Sequence, residues 1–169
     1  TEATMNKPIV ETRPENAPLK LLLLDDEEDI INALKRLLRN NYEIIPFNKG
    51  DEALAYLQEN HVDIIMSDMR MPKMDGAEFL AHAREIIPNA IRLLLTGYSD
   101  MDSTVKAIND GGVYTYISKP WNNQDLKLTL EKASDHYLLK KEAKRLNEEV
   151  AKANKELEIF NQSLELKVI

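Results

Sequence analysis

Five short apolar runs, each followed by a longer stretch with helical spacing, constrain this chain more than any other of its features. The runs are Lys20 to Leu24, Glu43 to Phe47, Val62 to Met66, Ile91 to Leu95 and Tyr114 to Ile117. Between them Ile30, Leu34, Leu37 and Leu38, then Ala53, Leu54 and Leu57, recur at the three-and-four spacing of an amphipathic helix. Asp75 with Glu78 reads as a capping box that opens a third helix. Val105 and Ile108 mark a fourth, which Gly111-Gly112 ends. Strict alternation of strand and helix requires crossovers that return the chain to the same edge, and hence a parallel sheet with helices on both faces. The expected fold class is α/β, a doubly wound five-stranded parallel sheet. Of the two common strand orders, 2-1-3-4-5 suits the chain, because Pro46 cannot donate to a ladder and that order leaves strand 2 at an edge.

Open sheets of this kind bind ligands beyond the carboxyl ends of their strands, where the strand order reverses. Strand 1 leads into Asp25-Asp26, strand 3 into Ser67-Asp68, strand 4 into Thr96-Gly97 and strand 5 into Ser118-Lys119-Pro120. Three carboxylates, a hydroxyl and an ammonium are thereby placed on one rim. Clustered carboxylates repel one another and raise each other's pKa unless a cation neutralises them, and hard oxygen donors with few protein ligands point to Mg2+. A carboxylate neutralised in this way can accept a phosphoryl group. Lys119 would then pair with phosphoryl oxygens, and the Thr96 hydroxyl could donate to another of them.

The segments Asp25-Asp26, Met66-Ser67-Asp68-Met69-Arg70-Met71-Pro72-Lys73-Met74-Asp75-Gly76, Leu95-Thr96-Gly97 and Tyr116-Ile117-Ser118-Lys119-Pro120 together resemble the signature of response-regulator receiver domains of two-component signalling. The resemblance covers residues 19–135, and four motifs in order make it specific. It implies the flavodoxin-like version of the fold, and Asp68 as the residue that becomes 4-aspartylphosphate by transfer from a sensor histidine kinase. It further implies that Asp26, Asp68 and the main-chain carbonyl of Arg70 hold Mg2+, with Asp25 acting mostly through a metal-bound water. Thr96 corresponds to the family's switch hydroxyl, Tyr116 to the aromatic that turns inward behind it, and Lys119 to the lysine that closes the site. Pro120 follows at a position where the family often has a cis bond. Trp121 and Gly112 depart from the commoner phenylalanine and alanine.

Simpler readings account for several neighbours. Glu27, Glu28 and Asp29 suit the first turn of a helix, whose dipole favours acids. As an EF-hand loop the stretch fails, with Ile30 where glycine is needed and Arg36 where the bidentate glutamate belongs. Met66, Met69, Met71 and Met74 read as packing, and His61, His82 and His136 lack a metal-ligand arrangement. Two other functions stay open. A phosphatase of the haloacid-dehalogenase type also forms an aspartyl phosphate, but needs a second aspartate where Arg70 stands. A dimeric adaptor with an unphosphorylated receiver would not need Asp25, Asp26, Asp68, Thr96 and Lys119 all to be present.

No proline or glycine follows Trp121, so the fifth helix has no obvious stop. Leu139, Ala143, Leu146, Val150, Ala153, Leu157, Phe160 and Leu164 alternate spacings of four and three, the seam of a coiled coil flanked by Glu and Lys. A narrow apolar stripe gains most by meeting another, so a parallel homodimer through the receiver and the coiled coil is expected, rather than a solvated single helix. The expected division is a disordered arm over 1–18, with Pro8, Pro14 and Pro18, a receiver over 19–135, and a signalling helix over 136–169. That helix would lead to an output domain absent from the chain; with Ser118-Lys119-Pro120-Trp121 and a following coiled coil, the receiver resembles those placed ahead of cyclic-di-GMP phosphodiesterase domains of the HD-GYP type, and less often ahead of cyclases or phosphatases. By itself the segment is expected to be no enzyme beyond its own phosphorylation and dephosphorylation. With 22 basic against 29 acidic residues and no basic run interleaved with aromatics, it is not expected to bind nucleic acid directly. Zero cysteines, no apolar run near ~20 residues and no secretory pattern make a cytoplasmic protein without membrane contact the expectation.

Overall fold

A computed structural model describes residues 17–167. The expected arm lies outside the described residues except for Ala17 and Pro18, as do residues 168–169 of the expected coil. The elements alternate as β1 (Leu19–Leu24), α1 (Glu28–Leu38), β2 (Tyr42–Phe47), α2 (Gly50–Glu59), β3 (Ile64–Asp68), α3 (Gly76–Ile86), β4 (Ile91–Thr96), a 3-10 turn (Tyr98–Asp100), α4 (Met101–Asn109), β5 (Thr115–Ser118) and α5 (Asn123–Lys167). The sheet is parallel throughout, in the order β2-β1-β3-β4-β5. Pro46 lies on the edge strand β2, opposite Leu23.

Period-two alternation along the strands divides the core. Leu21 and Leu23 of β1 pack with Ile31, Leu34 and Leu38 of α1 and with Leu126, Leu130, Ala133 and Tyr137 of α5. Leu22 and Leu24 face the other way, against Ala53 and Leu57 of α2 and Phe79, Leu80 and Ala83 of α3. Met71 and Met74 pack against this second cluster, as gap-filling residues do. Regular pairing of β3 begins two residues later than the apolar run from Val62 implies. Asp63 accepts the Lys20 N–H at 2.7 Å and donates its own N–H to the Lys20 carbonyl at 3.0 Å, closing the lower edge of the sheet before the ladder starts.

In α5 the stripe Leu126, Leu130, Ala133, Tyr137 covers the sheet, and beyond it the helix stands clear. From Tyr137 to Leu139 is about 200° around the helix, so the heptad seam starts on the side opposite the sheet. No helix among the described residues is long and apolar enough to cross a membrane.

Candidate functional site

Two sequence devices build the rim. The chain after β3 turns back over its own strand end, with Gly76 N–H donating to the Met69 carbonyl at 2.8 Å. Any side chain at Gly76 would strike the Asp68 carbonyl and come within 2.8 Å of Leu94, so only glycine permits this approach. Asp75 caps α3 by accepting the Glu78 N–H at 2.8 Å, which forms one half of the expected capping box. Lys73, in the same loop, holds φ at 71°, a left-handed conformation that side chains rarely adopt. On the neighbouring strands, Met69 N–H bonds the Leu95 carbonyl and Lys119 N–H the Thr96 carbonyl, both at 2.9 Å. The ends of β3, β4 and β5 are thereby held in register. The Lys119-Pro120 bond is cis.

Asp25, Asp26 and Asp68 each bring a carboxylate oxygen within 4.8 Å of the others. Asp25 and Asp68 are buried and Asp26 is exposed, so the cluster opens to solvent on one side. Lys119 Nζ lies 2.8 Å from Asp68 Oδ1 and 3.4 Å from Asp25 Oδ2. Burial pushes the Asp25 carboxyl up to about 6; the Asp68 charge adds to this, while the Glu27 N–H and Lys119 oppose it. Asp68 is also raised, by burial first and by Asp26, against the pull of Lys119. For Lys119 burial alone would lower the pKa, but its ion pairs with the two carboxylates outweigh that and hold it above its ordinary value. One ammonium thus faces three carboxylates, two of them reluctant to ionise. The donor set is all oxygen and short of positive charge, which fits a small hard divalent cation.

The remaining expected residues are placed less uniformly. Thr96 sits on the same rim, 1% exposed, but its hydroxyl is turned to its own side of the sheet. It accepts a hydrogen bond from the Thr104 hydroxyl at 2.9 Å and donates to the Gly97 carbonyl at 3.3 Å. Tyr116 is on the surface, 36% exposed. The Arg70 side chain points away from the cluster, its Nε reaching both carboxylate oxygens of Asp100 at 2.9 and 3.0 Å and one terminal nitrogen reaching Ser99. Thr104 escapes a reading of the sequence, where Val105 and Ile108 mark the helix. In the fold Val105 is exposed and Thr104 is fully buried. A polar residue at the inward-facing phase of α4 is the signal that was available.

His61 packs at the foot of the sheet: its Nε2 lies 2.9 Å from Asp63 Oδ1 and 3.3 Å from the Tyr137 hydroxyl, tying the lower edge of the sheet to α5. His136 stacks on Tyr114, with ring centroids 4.6 Å apart.

Residues 21–131 match the response regulator receiver domain family. The hydrogenase transcriptional regulatory protein HoxA of Bradyrhizobium diazoefficiens is 35% identical over 122 residues, which cover 72% of this chain and 25% of that protein. The chain spans about a quarter of the length of the curated relatives it matches. Among solved structures, an adenylate cyclase from Rhodopirellula baltica superposes with a TM-score of 0.74 at 35% identity, covering 77% of this chain and 97% of that one. The signal receiver domain of an HD domain-containing protein from Pseudomonas fluorescens Pf-5 superposes with a TM-score of 0.71 at 34% identity, covering 79% and 98%.

Proposed function

The chain belongs to the response regulator receiver domain family, and from that premise we propose that Asp68 accepts a phosphoryl group from a sensor histidine kinase and that α5 carries the change to an output domain through a parallel homodimer. One observation supports the assignment above the others: Lys119 lies 2.8 Å from Asp68 beside the carboxylates of Asp25 and Asp26. In the transfer, an Asp68 oxygen bonds to phosphorus as the N–P bond of the kinase phosphohistidine breaks, and the electron pair stays on the imidazole nitrogen. Lys119 moves from balancing the bare carboxylate to balancing the phosphoryl oxygens, and Thr96 turns its proton to one of them. Tyr116 then rotates into the space Thr96 leaves. Asp25, Asp26, Asp68 and the Arg70 main-chain carbonyl would hold Mg2+. Bound there, Mg2+ neutralises the anions that must approach one another.

The dimer rests on the seam of α5. Its large apolar residues are between 45% (Leu164) and 70% (Leu139) exposed, an arrangement that a lone helix does not need. With Leu139 at d and Ala143 at a, the first three g positions are Glu142, Glu149 and Glu156, and the e positions after them are Asn147, Asn154 and Asn161. In a parallel pair each glutamate meets an asparagine of the other helix. An antiparallel pair would set glutamate against glutamate, so the flanks favour parallel. Such a pair would place its two receivers side by side at one end of the rod, and a change in how they dock would twist or shift the helices. For the output we favour a cyclic-di-GMP phosphodiesterase of the HD-GYP type, on the likeness to the receiver of an HD domain-containing protein. The likeness to HoxA favours a transcriptional output instead.

Incubation with acetyl phosphate and Mg2+ followed by intact-mass measurement tests the site. One added phosphoryl group on the wild type and none on Asp68→Asn is expected. An unlabelled wild type, or undiminished labelling of the variant, overturns the proposal. Light scattering that finds a monomer both with and without beryllofluoride overturns the dimer.

A further inference from the structure

Thr104 stands in the first turns of α4 with its side chain fully buried. Valine would fill the same volume without a polar atom, so a hydroxyl at this depth is costly unless it is bonded. Its proton goes to Thr96 Oγ1 at 2.9 Å. The Thr96 hydroxyl has a single proton, and that proton goes to the Gly97 carbonyl at 3.3 Å. The bond to Gly97 is long and easily surrendered; the bond from Thr104 is short. If Thr96 swings toward Asp68, Thr104 loses its acceptor at a place bulk water does not reach. The bond from Arg70 to Asp100 also links the start of α4 to the loop after β3.

We propose that Thr104 is a positioning residue that holds the Thr96 hydroxyl away from Asp68, and so sets how readily the pocket takes up a phosphoryl group. The proposal rests on the reading of Asp68 and Thr96 given above. Removing the Thr104 hydroxyl frees Thr96 in the empty pocket. It also removes the buried donor that would be orphaned in the filled one. Both effects favour the filled state.

The test is a beryllofluoride titration in Mg2+, followed by the fluorescence of Trp121, the chain's one tryptophan, two residues from Lys119. Thr104→Val is expected to bind about fivefold more tightly than the wild type, the worth of one neutral hydrogen bond. Thr104→Ser restores the donor and should match the wild type. In a Thr96→Val background Thr104→Val should change nothing. Binding by Thr104→Val that is unchanged or weaker overturns the proposal. So does tightening that persists without the Thr96 hydroxyl, or a serine variant that behaves like valine. Should Thr104→Val melt too low to titrate, Thr104→Cys, with its weak donor, carries the same test with a smaller tightening. A wild type that binds no beryllofluoride overturns the pocket reading and this proposal together; a wild type that binds, with Thr104→Val identical to it, overturns only the role of Thr104.

Discussion

Asp25→Asn should stabilise the metal-free protein at neutral pH, although it removes an ion-pair partner of Lys119. Asp25 is fully buried and its pKa rises from 3.8 to about 6, chiefly through burial. A carboxyl raised on folding binds more protons in the folded state than in the unfolded chain between those two values. Stability is therefore whole below pH 3.8, falls as the pH rises through about 6, and is level above. A shift of about two units at about 1.4 kcal/mol each amounts to roughly 3 kcal/mol. Asparagine keeps the acceptor for the Glu27 N–H, 2.9 Å away, and carries no charge. In EDTA at about pH 7.5 the variant should exceed the wild type by about 2–3 kcal/mol, or about 5–10 °C in Tm for a chain of this size. By about pH 4 the two should coincide. Saturating Mg2+ should stabilise the wild type by mass action and close the gap. Urea unfolding across this range, with and without Mg2+, measures it. A variant no more stable than the wild type in EDTA, or a difference that ignores pH, would refute the reasoning.

Gly76→Ala drives a methyl group into the Asp68 carbonyl and Leu94; urea unfolding should show a loss of about 2–3 kcal/mol. Lys119→Met leaves Asp25 and Asp68 without their cation and should slow labelling by acetyl phosphate about 100-fold, as timed by intact mass. Leu157→Lys puts a charge into the seam of α5, far from the sheet. Light scattering should find it monomeric at micromolar concentration, with labelling at Asp68 unchanged.

The fold was legible because hydrophobic periodicity and punctuation agree along the chain. Pro46 placed β2 at the edge, and the run of residues after Trp121 without proline or glycine foretold the length of α5. Asp25, Asp26, Asp68 and Lys119 were legible as a group because each follows or closes a strand on the same rim. What escaped depends on side-chain direction and on contacts between distant segments. Val105 and Thr104 are neighbours in α4, and only the packing of that helix decides that the hydroxyl faces inward and the valine outward. The bonds from Arg70 to Asp100 and from His61 to Asp63 and Tyr137 join segments that no local pattern connects. The need for glycine at position 76 is set by the Asp68 carbonyl above it, which a motif records without explaining.

The most direct test of the central claim is chemical mapping of the acyl phosphate. After labelling with acetyl phosphate and Mg2+, borohydride reduces an aspartyl phosphate to homoserine, and peptide sequencing by mass spectrometry locates it. Homoserine is expected at position 68 alone. Homoserine at position 25 or 26, or none on a protein that has gained a phosphoryl group, would contradict that claim.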